Sequence, residues 1–292
     1  MKACVVTKTS KLDVLLDSDP SGVHHLAERD PFAYAEMLAG AAAQQKSNET
    51  VAETLVRYGI DSVWFRRDFF NEVPAGCDVV IVVGGDGTVL DVSHRVVDLP
   101  VIAINSDPAR SIGYYSACAS DELGPVLEHW LAGTIEQCTL ARLTLTVDGE
   151  RVPWPCLNDI LVCNENPCMM SRYVIIAGQR SEKQSSSGLW ISTPAGSTAG
   201  IRSAGGTVMP LEGALIQYLV REPYVPRSVR YELLRGVRHL REGLRISSLM
   251  PGGRLYIDGP WMVIPFGLGV LLELSEGPPL RILGMDPAVR ER

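Results

Sequence analysis

Asp78-Val79-Val80-Ile81-Val82-Val83 runs directly into Gly84-Gly85-Asp86-Gly87-Thr88, and this junction decides the fold. An unbroken β-branched run is the signature of a strand buried on both faces of a parallel sheet. It stops at glycines, which turn without steric penalty and leave backbone N–H groups uncovered. Helical text follows to Val97, and then a further strand, Pro100-Val101-Ile102-Ala103-Ile104. Upstream, Ile60 to Phe65 and Ala3 to Thr7 read as strands. Between them Asp30-Pro31 is a helix start, a capping side chain with proline at the first helical position. Helical text runs on to Tyr58, with Val51, Leu55 and Val56 on one face and Gly59 as the stop. Alternating strand and helix predict a doubly wound α/β domain, whose ligands bind beyond the strands' carboxyl ends, at residues 84–88 and 105–110.

Downstream of about residue 120 the pattern changes. One helix is expected from Asp121 to Ala132, and from Leu140 onward the chain is β-rich. Asp148-Gly149 is a hairpin turn after Leu143-Thr144-Leu145-Thr146-Val147. Further strands fit Leu157 to Val162, Tyr173 to Ala177, Leu189 to Ser192, Arg254 to Ile257 and Val270 to Leu274. The apolar stretch Met262 to Leu274, interrupted by Pro265, Gly267 and Gly269, reads as buried strand. These features predict an all-β, sandwich-like second domain. The expected division is an α/β domain over 1–120, a β-rich domain over 121–275, and a segment over 276–292 that returns to the first domain.

Composition narrows the function classes. The 292 residues are 46% hydrophobic and 21% charged, an ordinary globular balance. A formal charge of -7 argues against a surface that grips nucleic acid or anionic lipid as a whole. No apolar run reaches the roughly 20 residues of a membrane helix, and the first residues lack the zones of a signal peptide. A cytoplasmic protein with neither nucleic-acid nor membrane partners is expected. The seven cysteines contain no C-x-x-C pair and read as reduced thiols. His24-His25, His94, His129 and His239 show no metal-ligand spacing.

Three segments carry chemistry. In residues 84–88, glycines let a phosphate approach backbone N–H groups, and the following helix start adds donors and a favourable dipole. Asp86 would repel phosphate, so it suits a base for an attacking hydroxyl or a metal contact; the alternative is a tight turn with a solvated aspartate. Ser192-Thr193-Pro194-Ala195-Gly196-Ser197-Thr198-Ala199-Gly200, followed by Ser203-Ala204-Gly205-Gly206, offers small residues and hydroxyls to a base and sugar, or is simply a polar loop. Asn158-Asp159, ahead of Ile160-Leu161-Val162, suits recognition of vicinal ribose hydroxyls, or is an ordinary turn.

Together and in this order, the three segments resemble the NAD kinase family over about residues 78 to 260. The run Ile104-Asn105-Ser106-Asp107-Pro108-Ala109-Arg110-Ser111-Ile112-Gly113-Tyr114 is closer to the plant NADH kinase and animal mitochondrial NAD kinase branch. Leu157-Asn158-Asp159-Ile160-Leu161 and Ser185-Ser186-Ser187-Gly188-Leu189 point the same way. The resemblance implies transfer of the γ-phosphoryl group of ATP, with Mg²⁺, to the 2′-hydroxyl of the adenosine ribose of NAD(H). It implies Asp86 as the base, and Gly84, Gly85, Gly87, Thr88, Asn105 and Arg110 around the phosphates. Asn158 and Asp159 would hold the ribose, and Ser187, Thr193, Ala195, Ser197, Thr198, Ala199 and Ser203 the rest of the dinucleotide. A homodimer without a tightly bound prosthetic group is also implied.

The chain departs from the family pattern at two points. Ser187 stands where many members have aspartate, and Gly200 where many have tyrosine, which removes one carboxylate contact and one stacking surface. The branch resemblance favours acceptance of NADH. Lipid kinases share the Gly-Gly-Asp-Gly loop, but no basic amphipathic helix stands out here. A catalytically idle dinucleotide sensor is the reading from a different class.

Overall fold

In the computed structural model, which describes residues 1–288 except 212, 228, 229 and 261, the decisive run is strand β3 (Val79–Gly84), buried at every position. Strands β1 (Lys2–Thr7), β2 (Asp61–Arg66) and β4 (Val101–Asn105) lie parallel with it in the order β2-β1-β3-β4. The short β5 (Cys118–Ala119) pairs with β4, and a late strand, β19 (Leu280–Leu283), runs parallel to β4 and is followed in the sheet by β6 (Gln137–Leu140). The helices of this unit are α1 (Lys11–Ser18), α2 (Pro20–Arg29), α3 (Pro31–Arg57), α4 (Asp86–Ser93) and α5 (Leu123–Leu131). The apolar faces of α3 and α5 close one core, in which Val51, Leu55, Leu123 and Leu127 pack with Val5, Ile81, Val83 and Ile104. Each such side chain contributes about 1.5–3 kcal/mol when fully buried.

The expected cap is present: Asp30 Oδ1 accepts the Ala33 N–H at 3.0 Å, with Pro31 opening α3. The same device recurs at Asp19-Pro20, where Asp19 Oδ1 accepts the Gly22 N–H at 2.9 Å and starts α2. The helix expected to reach Val97 ends at Ser93.

The chain divides into two units, Met1–Cys138 with the described residues from Arg281 on, and Thr139–Leu280. The second contains β7 (Leu143–Val147), β8 (Glu150–Arg151), β9 (Asp159–Asn164), β10 (Ser171–Ala177), β11 (Arg180–Ser186), β12 (Gly188–Ser192), β13 (Leu215–Arg221), β14 (Arg235–His239), β15 (Leu244–Ser248), β16 (Gly253–Ile257), β17 (Met262–Pro265) and β18 (Leu271–Glu276). They form two antiparallel six-stranded sheets, β11-β10-β15-β18-β7-β8 and β14-β13-β12-β9-β16-β17. One core lies between them, built from Leu145, Tyr173, Ile175, Ile246 and Leu272 of one sheet and Ile160, Val162, Leu189, Ile191 and Leu255 of the other. Inward and outward positions alternate as a sandwich requires. Asp148 (φ 49°) and Gly149 (φ 84°) make the expected tight hairpin between β7 and β8.

One expectation is corrected. Met262 to Leu274 is not one buried strand but two, β17 and β18, in different sheets. Edge strand β17 alternates between half-buried and exposed residues, and Gly269 (φ 86°) lies in the turn before β18.

Candidate active site

In the first unit, Gly84 ends β3 and Asp86 opens α4. A Cβ at Gly84 would lie 2.4 Å from Thr88 Oγ1 and 2.8 Å from Thr88 Cβ, so glycine is required because Thr88 packs over it. Gly87 is different. Nothing lies within 4 Å of its Cβ position, and its φ is not positive. Neither packing nor backbone conformation demands glycine at 87, so the first turn of α4 is left open to close approach of a ligand. Thr88, expected as a phosphate donor, is buried, and its N–H is engaged by Gly85 O at 2.9 Å. It supports the turn.

Asp86 Oδ1 accepts the Tyr115 N–H at 3.1 Å, and the Tyr114 N–H also bonds this carboxylate. Burial raises its pKa above the ordinary carboxylate value, and the two N–H groups draw it partly back. The result is an oriented carboxylate with acceptor capacity left for a hydroxyl. The loop that holds it is shaped by Asn105, whose Nδ2 donates to Ser111 O at 2.9 Å and whose Oδ1 accepts the Asp107 N–H at 3.1 Å. Asn105 thus braces the loop from the carboxyl end of β4, next to Gly84 on β3. Arg110 does not present an unpaired charge. Its guanidinium bonds both Asp107 carboxylate oxygens at 3.1 and 3.2 Å and Glu36 Oε2 at 3.0 Å. Two carboxylates neutralise the cation that the sequence offered to phosphate.

In the second unit, Asn158 and Asp159 enter β9 through a loop organised by a residue not expected at the site. Asp258 Oδ2 accepts the Leu157 N–H at 2.8 Å, and its Oδ1 accepts those of Asn158 at 2.6 Å and Asp159 at 3.1 Å. Asp258 is buried and sits at φ 51°, a conformation aspartate tolerates better than most residues. Asp258-Gly259 reads locally as a hairpin turn; its partners lie about a hundred positions upstream. The Asp159 carboxyl is pushed up to about 7 by burial and then by Asp258, while the Gly200 N–H pulls it down.

The segment 193–200 lies against the same loop. The Thr193 N–H donates to Asn158 O at 2.9 Å. A Cβ at Gly196 would fall 2.1 Å from Asn158 O, so only glycine allows this contact. Thr193 Oγ1 donates to Leu157 O and accepts the Gly196 N–H at 3.1 Å. Ser197 Oγ donates to Pro194 O at 2.7 Å and accepts the Met209 N–H at 2.9 Å. The expectation that these two hydroxyls face a base and sugar is therefore corrected: both are buried and hold the loop together. Ala195 is buried with them, whereas Thr198 and Ala199 are partly exposed beside α6 (Gly200–Ser203), and Ser203 is exposed at its end. Ser187 is not gathered with these residues. It lines a different cavity of about 440 Å³ with Leu161, Cys163, Arg221 and Tyr256. At Gly200, Trp190 ring carbons lie 3.0 and 3.1 Å from the Cβ position, so the indole occupies the space a larger side chain needs.

Residues 14–135 match the family model described as the ATP-NAD kinase N-terminal domain. The chain is similar to a probable NADH kinase of Oryza sativa subsp. japonica, 33% identical over 248 residues that cover 77% of this chain and 76% of that protein. It is similar in fold to an NAD kinase from Archaeoglobus fulgidus solved in complex with ATP, with a TM-score of 0.70 at 17% identity, covering 100% of this chain and 96% of that one. Yeast NADH kinase complexed with NADH gives 0.68 at 15% identity, covering 99% and 85%.

Proposed function

The chain belongs to the NAD kinase family, and from that premise we propose that it transfers the γ-phosphoryl group of ATP to the 2′-hydroxyl of the adenosine ribose of NAD⁺ or NADH. The observation that carries the mechanism is the pairing of adjacent residues: an oriented, partly buried Asp86 beside Gly87, whose side-chain space is open. Phosphoryl transfer passes through a loose transition state, so positioning and charge stabilisation do most of the work. Backbone donors of the glycine loop hold the phosphates. Asp86 orients the attacking hydroxyl and takes its proton, its raised pKa bringing it closer to neutral pH. Asn158 and Asp159 hold the ribose, with Thr198 and Ala199 against the adenosine.

Mg²⁺ suits this donor set, since it is commonly held by one or two carboxylates, substrate phosphates and water; when bound it neutralises phosphate charge. The rice relative carries the name probable NADH kinase and an Arabidopsis thaliana relative, 33% identical over 70% of this chain, the name NADH kinase, which supports NADH as an accepted substrate. The seven free thiols support a cytoplasmic setting, and a homodimer, testable by light scattering, completes the proposal. The central experiment assays purified protein with ATP and each dinucleotide at matched concentration, detecting the 2′-phosphorylated product. No product from either dinucleotide overturns the activity, and product from NAD⁺ alone overturns the acceptance of NADH.

A further inference from the structure

Beside Mg²⁺, a triphosphate at the glycine loop calls for a side-chain cation, and Arg110, paired with Asp107 and Glu36, does not supply it. A nucleoside triphosphate brings several negative charges to backbone amides that offer only partial positive charge. The neighbouring arginines are engaged: Arg67 with Asp91 at 3.3 Å and Asp68 at 3.5 Å, Arg95 with Asp91 O at 3.0 Å, and Arg110 with Asp107 and Glu36.

Lys8 is in a different position. It follows β1, and its N–H donates to Val83 O at 2.9 Å, extending the β1–β3 pairing to the edge of the loop. The same carbonyl accepts Gln44 Nε2 at 3.1 Å, so Val83 is held from two sides. Gly84 comes next, and a Cβ built on it would stand 3.1 Å from Lys8 Cβ. The backbone of Lys8 is thereby fixed against the first glycine of the loop. Its stem reaches about 5 Å from Cβ over four bonds. Lys8 is half-buried, and among the described residues no carboxylate pairs with its ammonium.

We propose that Lys8 is the cation that binds the triphosphate of the phosphoryl donor at the glycine loop, the part the sequence suggested for Arg110. This rests on the kinase reading above. A lysine fits because its compact charge sits on a flexible stem and can meet phosphate oxygens as they move between donor and acceptor.

The test compares wild type with Lys8→Met, Lys8→Gln and Lys8→Arg. ATP and inorganic tripolyphosphate are titrated by calorimetry without dinucleotide, and kcat and both KM values are measured by steady-state assay. The neutral variants are expected to bind ATP and tripolyphosphate at least about tenfold more weakly, with an unchanged melting temperature and dinucleotide KM. Lys8→Arg is expected to recover most of the affinity. Neutral variants that bind both phosphates within about twofold of wild type and keep the wild-type KM for ATP overturn the proposal while the kinase reading stands. Wild-type protein that forms no 2′-phosphorylated product overturns the kinase reading itself, a result visible without any variant.

Discussion

Asn158 donates its backbone N–H to the Asp258 carboxylate at 2.6 Å, across 100 positions of sequence. The same carboxylate gathers the N–H groups on either side, so one buried side chain sets the path of the loop that presents Asp159. Asp258→Asn keeps the shape but replaces one acceptor oxygen with a donor, leaving a buried N–H opposed. A loss of about 2–4 kcal/mol is expected, with a raised KM for the dinucleotide. Chemical denaturation and steady-state kinetics check this; an unchanged midpoint together with an unchanged KM contradicts the assignment.

Asp86→Asn preserves size and hydrogen bonding to Tyr115 and removes the proposed base. Turnover is expected to fall by about 10²–10⁴, while dinucleotide affinity moves by less than about threefold. Rapid-quench turnover and dinucleotide titration separate the two effects. A variant that loses binding as much as rate would show that Asp86 acts in recognition.

Two glycines of one loop are expected to behave in opposite ways. Gly84→Ala places a methyl group on Thr88 and is expected to cost about 1–3 kcal/mol through overpacking. Gly87→Ala meets open space within the first turn of α4 and is expected to leave stability equal or up to about 1 kcal/mol higher. Its KM for ATP is expected to rise all the same, because the methyl group would stand where the proposed phosphate approaches. Thermal melts beside ATP titrations decide it; a Gly87→Ala enzyme with wild-type ATP kinetics removes the case for a phosphate there.

Asp159 links stability to pH. Its folded value of about 7 lies above an unfolded value of about 4, so the native state holds this proton more tightly. The favourable contribution is complete below about pH 4 and is lost as pH rises through about 7. Asp159→Asn cannot titrate, and is expected to lack that decline. Unfolding free energies of both proteins at several pH values across this window test it, and parallel profiles would place the titration elsewhere.

Much of the fold is legible locally. β3 announces itself because a strand covered on both faces needs no polar alternation, and α3 because Asp30 and Pro31 satisfy and pre-shape its first turn. β11 does not, because Arg180-Ser181-Glu182-Lys183-Gln184-Ser185-Ser186 is polar throughout and is a strand only through its pairing with β10. The site divides in the same way. The glycines and Asp86 stand out by residue type, whereas the hydroxyls of Thr193 and Ser197 look available until the loop folds and engages them.

Residue order alone determined the parallel strand, the turn into the glycine loop, the capped helix and the identity of the acidic group beside it, since each follows from sterics and hydrogen bonding among near neighbours. Tertiary structure alone decided which charges are available. Glu36 reaches Arg110 from 74 positions away, and Asp258 organises residues 157–159 from the far end of the second unit. Whether a polar group can meet a ligand depends on the partners that folding brings to it, and these lie beyond the range of any local pattern.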